Sequence, residues 1–493
     1  MIALPADWLD PARALALPLI ALLPLIGGLL LLALRGSPNR REAASILAGL
    51  VTAAAVIGLW PHANAGLRFE LWQWLPGLSL AFELEPLGLL FASVAACLWP
   101  VTIVYAIGYM RGAGEKHQTR FYFFFAVAIA AALGIAFAGN GLTLFLFYEV
   151  LTLSTYPLVS HKGTPEARRG ARIYLAILLT TSIGLLLPAL VWTHALTGTT
   201  DFRAGGILAG HAGAPTLAVL MALYLFGIGK AALMPFHRWL PAAMVAPTPV
   251  SALLHAVAVV KAGVFSVLKI AIYVFGVDLL AVSGAAEALM WVAAFTLLVA
   301  SLIALRQDNL KARLAYSTVS QLAYIVLGAT LATSTAMLGG ALHIVTHAAG
   351  KITLFFCAGA IYVAAHKTRV SELDGLGRAM PLTFAAFCIA SLSIVGLPPL
   401  AGSWSKFLLM GGAAEAGREL MIAVLMLSSL LNIAYLLPIP FRAFFRPAPA
   451  GAEPAHGEAP WPSVLALMLT ALACLVLFFC SEPLIAPLRE VLP

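Results

Sequence analysis

Five lysines, Lys230, Lys261, Lys269, Lys351 and Lys406, fall inside long apolar segments of this sequence. At mid-bilayer each ammonium group costs roughly 2.5–3.5 kcal/mol unless it has a partner, a water-filled cavity or a neutral state. The only acid expected to lie deep among them is Glu149, in Leu144-Phe-Leu-Phe-Tyr-Glu149-Val-Leu. One carboxylate cannot neutralise five ammonium groups, so some of these lysines must exchange protons with ease, because desolvation and like-charge neighbours disfavour the charged amine. That is the requirement of a proton relay.

The stretch Leu342-His343-Ile-Val-Thr-His347-Ala-Ala-Gly-Lys351 repeats a titratable group every four residues. On a helix these groups climb about 6 Å and drift about 40° per step, so they share one face. Neutral imidazole both donates and accepts, and a His-His-Lys ladder with bridging water can pass protons over about 12 Å. Two histidines with no nearby carboxylate or thiolate make a poor metal site, and Cys97, Cys357, Cys388, Cys474 and Cys480 show no CxxC spacing. No phosphate-binding glycine loop or haem, flavin or iron–sulfur ligand spacing is found, so no cofactor is expected. Lys269 lies late in its helix and reads as a lysine snorkelling to the interface.

Two charged segments carry helix breakers: Gly229-Lys230-Ala-Ala-Leu-Met-Pro235-Phe-His237-Arg-Trp-Leu-Pro241 and Gly396-Leu-Pro398-Pro399-Leu-Ala-Gly402-Ser-Trp-Ser-Lys406. Both interrupt helical hydrogen bonding. Broken helices at corresponding places in two halves point to ion sites in inverted-repeat transporters, and these breaks are five helices apart.

The elements that hold these residues follow from composition. A chain of 493 residues that is 62% hydrophobic and 10% charged, with mean hydropathy +0.97, must use lipid as its solvent. Apolar runs of about 18 to 30 residues suffice to cross roughly 30 Å of hydrocarbon as helices, and they lack the alternation of barrel strands. The expected fold is all-α and polytopic, with about fourteen transmembrane helices, broken at helices 7 and 12. The first apolar run, near 14–35, reads as a retained helix and not as a signal peptide. Arg446–Pro460, rich in proline and small residues, reads as a flexible surface loop.

The net charge of +8 is spread over short loops, which argues against nucleic acid as a partner and for membrane topology. Of the 29 lysines and arginines, 19 fall in one set of alternate loops and five in the other, the remaining five being the buried lysines. Both termini fall on the poorer side and should be extracytoplasmic.

At these motifs the chain resembles the antiporter-like family shared by respiratory complex I, Mrp-type cation/proton antiporters and membrane-bound hydrogenases. The likeness covers roughly residues 85–445. It is carried by Phe147-Tyr-Glu149-Val-Leu-Thr-Leu-Ser-Thr-Tyr-Pro157, by Lys230 to Pro241 with Ala246-Pro-Thr-Pro-Val-Ser-Ala-Leu-Leu-His255, by Asp308 to Gln321, and by His343 to Lys351 with Lys406. The resemblance implies two inverted five-helix repeats, 121–275 (helices 4–8) and 276–445 (helices 9–13). They lie between N-terminal helices in 1–120 and a cytoplasmic loop at 446–461 followed by helix 14 in 462–493. It implies that Glu149 and Lys230 form the coupling pair of the first half. His255 and Lys261 then carry protons to the centre, and His343, His347, Lys351 and Lys406 serve the second half.

Within the family the chain is most similar to the D-type component of the Mrp antiporters, through Thr152-Leu-Ser-Thr-Tyr-Pro and Ala246 to Lys261. A proton-pumping subunit of complex I or of a membrane-bound hydrogenase is the alternative. Lys406 replaces a glutamate found in some members, and the chain lacks the lateral helix of the largest complex I subunit. The resemblance implies a transporter component, not an enzyme, in a bacterial inner membrane. Its partners would be other membrane subunits, the lipid bilayer, protons and Na+, with no cofactor and no nucleic acid.

Overall fold

Runs that are apolar on every face leave the backbone no partner but itself, and in lipid a helix satisfies each N–H and C=O within one segment. The computed structural model describes residues 6–448 and 457–493 and is built almost wholly of helices. Residues 449–456 of the expected surface loop lie outside the described residues. In chain order, α1 (Ala6–Ala33) and α2 (Pro38–Ile57) precede β1 (Arg68–Leu75) and β2 (Leu78–Glu83), and α3 (Pro86–Gly112), α4 (Gln118–Ala136) and α5 (Gly141–Val159) follow. Next come α6 (Pro165–Thr181), α7 (Leu187–Thr197), α8 (Ala214–Gly227), α9 (Trp239–Ala242), α10 (Thr248–Ala252), α11 (Val259–Ile270) and α12 (Val277–Ser283). The rest comprises α13 (Glu287–Arg306), α14 (Leu310–Thr330), α15 (Ser334–Ala365), α16 (Pro381–Val395), α17 (Gly402–Glu415), α18 (Glu419–Leu436), α19 (Pro438–Phe445), α20 (Trp461–Phe479) and α21 (Ser481–Arg489).

Among the described residues, eleven helical segments are long and apolar enough to cross a membrane, and Ala214–Gly227 and Pro381–Val395 are shorter apolar helices. Helix starts follow local chemistry. Asn140, Thr164, Asn309 and Thr333 cap α5, α6, α14 and α15 with side-chain oxygens, while proline sits in the first turn of α3, α6, α8 and α16.

Both expected breaks are present. After α8 the chain leaves helical geometry through Gly229–Ala231, and α16 ends at Gly396, whose φ of 94° suits glycine, before α17 begins. Between α10 and α11 the helix widens to a π turn at Leu253–Val257, the kind of local irregularity that often marks a functional position. Thr248–Phe275 is wholly buried, and α15 packs against α3, α10, α14, α16, α17 and α20. The middle of the molecule is therefore α11 and α15.

One element departs from the helix-only expectation. β1 and β2 form an antiparallel hairpin, with Arg68 opposite Glu83 and Leu75 opposite Leu78. The alternation in Arg68-Phe-Glu-Leu-Trp-Gln-Trp-Leu75 and the Pro76-Gly77 turn are its signals, too short to show in a hydropathy scan.

Candidate functional site

Lys230, His255, Lys261, His343, His347, Lys351 and Lys406 are all buried. Lys230 sits in the break after α8, where α11 can come close because Gly263 has no side chain: a Cβ there would meet the backbone of Lys230 and Ala231. Its Nζ donates to the Tyr148 carbonyl (2.8 Å) and to Thr152 Oγ1 (2.6 Å), and lies 3.1 Å from the centroid of the Tyr148 ring. The expected pair with Glu149 is not formed within 4.0 Å. Tyr148 and Thr152, four residues apart, make the face of α5 that meets Lys230. Both Glu149 carboxylate oxygens are inaccessible yet have no hydrogen-bond partner among the described residues.

A second line of groups crosses the middle. His255 lies in the widened turn with its ring 4.7 Å from Phe355, and neither ring nitrogen is hydrogen-bonded. Lys261 on α11 is hydrogen-bonded through Nζ to His347 Nδ1 on α15. His347 stacks on His343 at 5.7 Å, and His343 stacks on Tyr324 at 5.4 Å. His343 Nδ1 is 2.9 Å from Ser405 Oγ, and the next residue is Lys406. Lys406 Nζ donates to the Val395 carbonyl (3.0 Å) freed by the break after α16, and to Ser429 Oγ (2.9 Å).

The ladder on α15 divides. Two steps of about 40° accumulate to about 80°, and Lys351 faces α14, where its Nζ donates to Ser317 Oγ at 2.5 Å. Ser317 in turn accepts from Tyr435, which is hydrogen-bonded to Asn432. Lys351 thus heads a branch, whereas Lys261, His347, His343 and Ser405 follow one another from α11 through α15 to α17, and Lys406 Nζ lies 4.8 Å from the centroid of the Tyr324 ring on which His343 stacks.

Residues 138–432 match the family described as NADH:quinone oxidoreductase/Mrp antiporter, TM. The chain belongs to this family. It is an antiporter-like, proton-translocating subunit that passes through the membrane many times. It is 32% identical to NADH-quinone oxidoreductase subunit N of Desulforudis audaxviator, over 89% of this chain and 91% of that protein. It is 31% identical to the A/B component of a probable K(+)/H(+) antiporter of Rhizobium meliloti, over 96% of this chain but 48% of that one. In fold it resembles a chain of the Mrp complex from Dietzia sp. DQ12-45-1b, with a TM-score of 0.84, 24% identity, and coverage of 97% and 96% of the two chains. Each of these relatives is named as a subunit or as part of a complex.

Two sequence expectations fail inside this family fold. Glu149 is not the only deep acid, since Glu42 and Glu85 are both buried. Glu42 pairs with Arg111, and Glu85 caps α3 by accepting from the Leu87 amide. Nor does Lys269 snorkel. It is fully buried, donating to Glu85 Oε1 (3.0 Å) and to the Ala138 carbonyl (2.8 Å), with Phe202 and Phe265 against its ammonium group. Glu85, Ala138 and Phe202 surround the ammonium group near the end of α11. Glu85-Pro86, an acid before a first-turn proline, was the available signal.

Proposed function

We propose that this chain is the D-type component of a multisubunit Mrp-type Na+/H+ antiporter in a bacterial inner membrane, moving protons through Glu149, Lys230, His255, Lys261, His343, His347, Lys351 and Lys406. The observation that carries the reading is the sequence of contacts Lys261–His347–His343–Ser405, which runs through buried groups from α11 to the helix that begins after the second break and carries Lys406. On this reading 121–275 and 276–445 are two half-channels that meet at Lys261 and His347, flanked by 1–120 and, past the 446–461 loop, by 462–493.

A proton on Lys261 passes to His347 Nδ1, and the ring releases another from Nε2. His343 takes it up at its own Nε2 and hands one on from Nδ1 to Ser405 and Lys406. Both Nε2 atoms lack hydrogen-bond partners among the described residues, which leaves them free for this exchange. At the other end, Lys230 rests on neutral acceptors, so movement of the unpaired Glu149 carboxylate toward or away from it changes how tightly its proton is held. The energy for that movement comes from outside the chain.

The identity with subunit N over nearly the full length of both chains favours a second reading, a proton-pumping subunit of a NADH-quinone oxidoreductase. Purifying the native complex through a tag on this chain separates the two. The Mrp reading expects a complex free of flavin and iron–sulfur absorbance that acidifies or alkalinises vesicles in response to a Na+ gradient. Co-purified NADH:quinone reductase activity overturns it in favour of the second.

A further inference from the structure

A cavity of about 480 Å³ opens on the side of the molecule that carries the hairpin, and among its lining residues are Arg68, Glu83, Glu85, Arg203, Lys269 and Tyr273. Its charged side chains grade inward. Arg68 is 33% exposed, Glu83 24%, Glu85 10% and Lys269 0%, so the cavity leads from solvent to a buried ion pair. Glu85 is held from two sides, with Lys269 Nζ 3.0 Å from Oε1 and Tyr273 Oη donating to Oε2 at 2.6 Å. Lys269 lies two turns beyond Lys261 on the same helix, about 12 Å along its axis. A deep ion pair that only tied α11 to α3 would not require a charged channel from the surface.

We propose that Lys269, Glu85 and Tyr273 form the gate through which protons cross between the relay and the solvent on the hairpin side. The proposal rests on the relay reading above. The Lys269 ammonium passes its proton to Glu85 Oε1, leaving a neutral amine and a neutral carboxylic acid. The acid gives that proton to water in the cavity and returns to carboxylate. The amine then takes the next proton from the direction of Lys261, so one proton leaves for each one taken up, and the same steps in reverse load Lys261 when the relay runs toward Lys406. Tyr273 holds Glu85 in place with its hydroxyl and is a positioning residue.

The test uses the assembled complex in oriented vesicles, with the five native cysteines replaced and Lys269→Cys introduced. Proton flux should fall about a hundredfold or more, the scale on which a positioned proton-transfer group acts, while the yield of intact complex stays the same. Aminoethyl methanethiosulfonate, which restores a titratable ammonium, should recover most of the flux. The trimethylammonium analogue should label the same cysteine from the hairpin side alone and recover none, because its charge carries no transferable proton. Recovery by both reagents would make the pair a static charge contact and overturn the gate, as would failure to label from the hairpin side or undiminished flux in Lys269→Cys. Tyr273→Phe, which keeps the ring, covers the case in which Lys269→Cys does not assemble: flux should fall, and unchanged flux counts against the gate. Lys261→Met tests the relay separately. Wild-type flux in that variant sinks the relay whatever Lys269 does, whereas a defect there beside a normal Lys269→Cys leaves the relay standing and removes the gate.

Discussion

At the residue scale, the lysines owe their positions to hydroxyls, carbonyls and imidazoles more than to acids. Lys230 on Tyr148 and Thr152, Lys351 on Ser317 and Lys406 on Val395 and Ser429 are all held by neutral acceptors. A neutral acceptor binds the ammonium without cancelling its charge, so a nearby carboxylate retains control over the proton. Glu149→Gln should therefore leave folding and insertion intact and abolish coupled transport. Proton flux in vesicles containing the assembled complex decides this, and wild-type flux would make Glu149 structural. His347→Ala and Lys406→Ala should each remove most of the flux, and the double variant should match either single, because groups in series on one path are not additive when lost. Multiplicative losses at matched expression would place them on separate paths.

At the scale of the element, small residues and caps decide how the chemistry is presented. Gly263→Val would drive a side chain into the Lys230–Ala231 backbone, and overpacking of this kind costs about 1–3 kcal/mol. The expected outcome is a lower thermal midpoint for the solubilised complex, and an unchanged midpoint would mean that α11 can retreat from the break. Outside the membrane spans, the short helical turn after α15 is tied down by Glu372, whose carboxylate accepts from the amides of Arg369 (3.0 Å) and Thr368 (3.2 Å). These bonds hold Glu372 below the ordinary glutamate value of 4.5. A depressed carboxylate stabilises above its unfolded value and loses that contribution as pH falls through its folded one. Amide exchange at Thr368 and Arg369 should therefore quicken in acid, beyond the intrinsic change, and Glu372→Gln should remove this pH dependence.

For the whole molecule, charge bias and architecture point the same way. The hairpin, the Phe202 segment and Glu490 near the C-terminus line one cavity, so these parts share one side of the membrane. From the bias of 19 basic residues against five we propose that this side faces away from the cytoplasm. Reporter fusions at Pro493 should then show extracytoplasmic activity and fusions at Gly451 cytoplasmic activity. The reverse pattern would invert the direction assigned to the relay and to the hairpin-side cavity alike.

Lipid solvent, the helical nature of the spans, the two breaks and the burial of the relay lysines and histidines could all be read from the sequence, because each depends on local composition and spacing. Contacts made across helices could not. Which face of α5 meets Lys230 depends on how that helix is rotated, and it is Tyr148 and Thr152 that hold the ammonium group. The four-residue spacing of His343, His347 and Lys351 was visible, but α11 and α17 on one side and α14 on the other determined that two of them line a path while the third branches away. Lys269 looked able to reach an interface because a linear chain does not show what folds over a helix end. Glu85 lies 184 positions away, and only the packing of α3 against α11 brings that carboxylate to the amine.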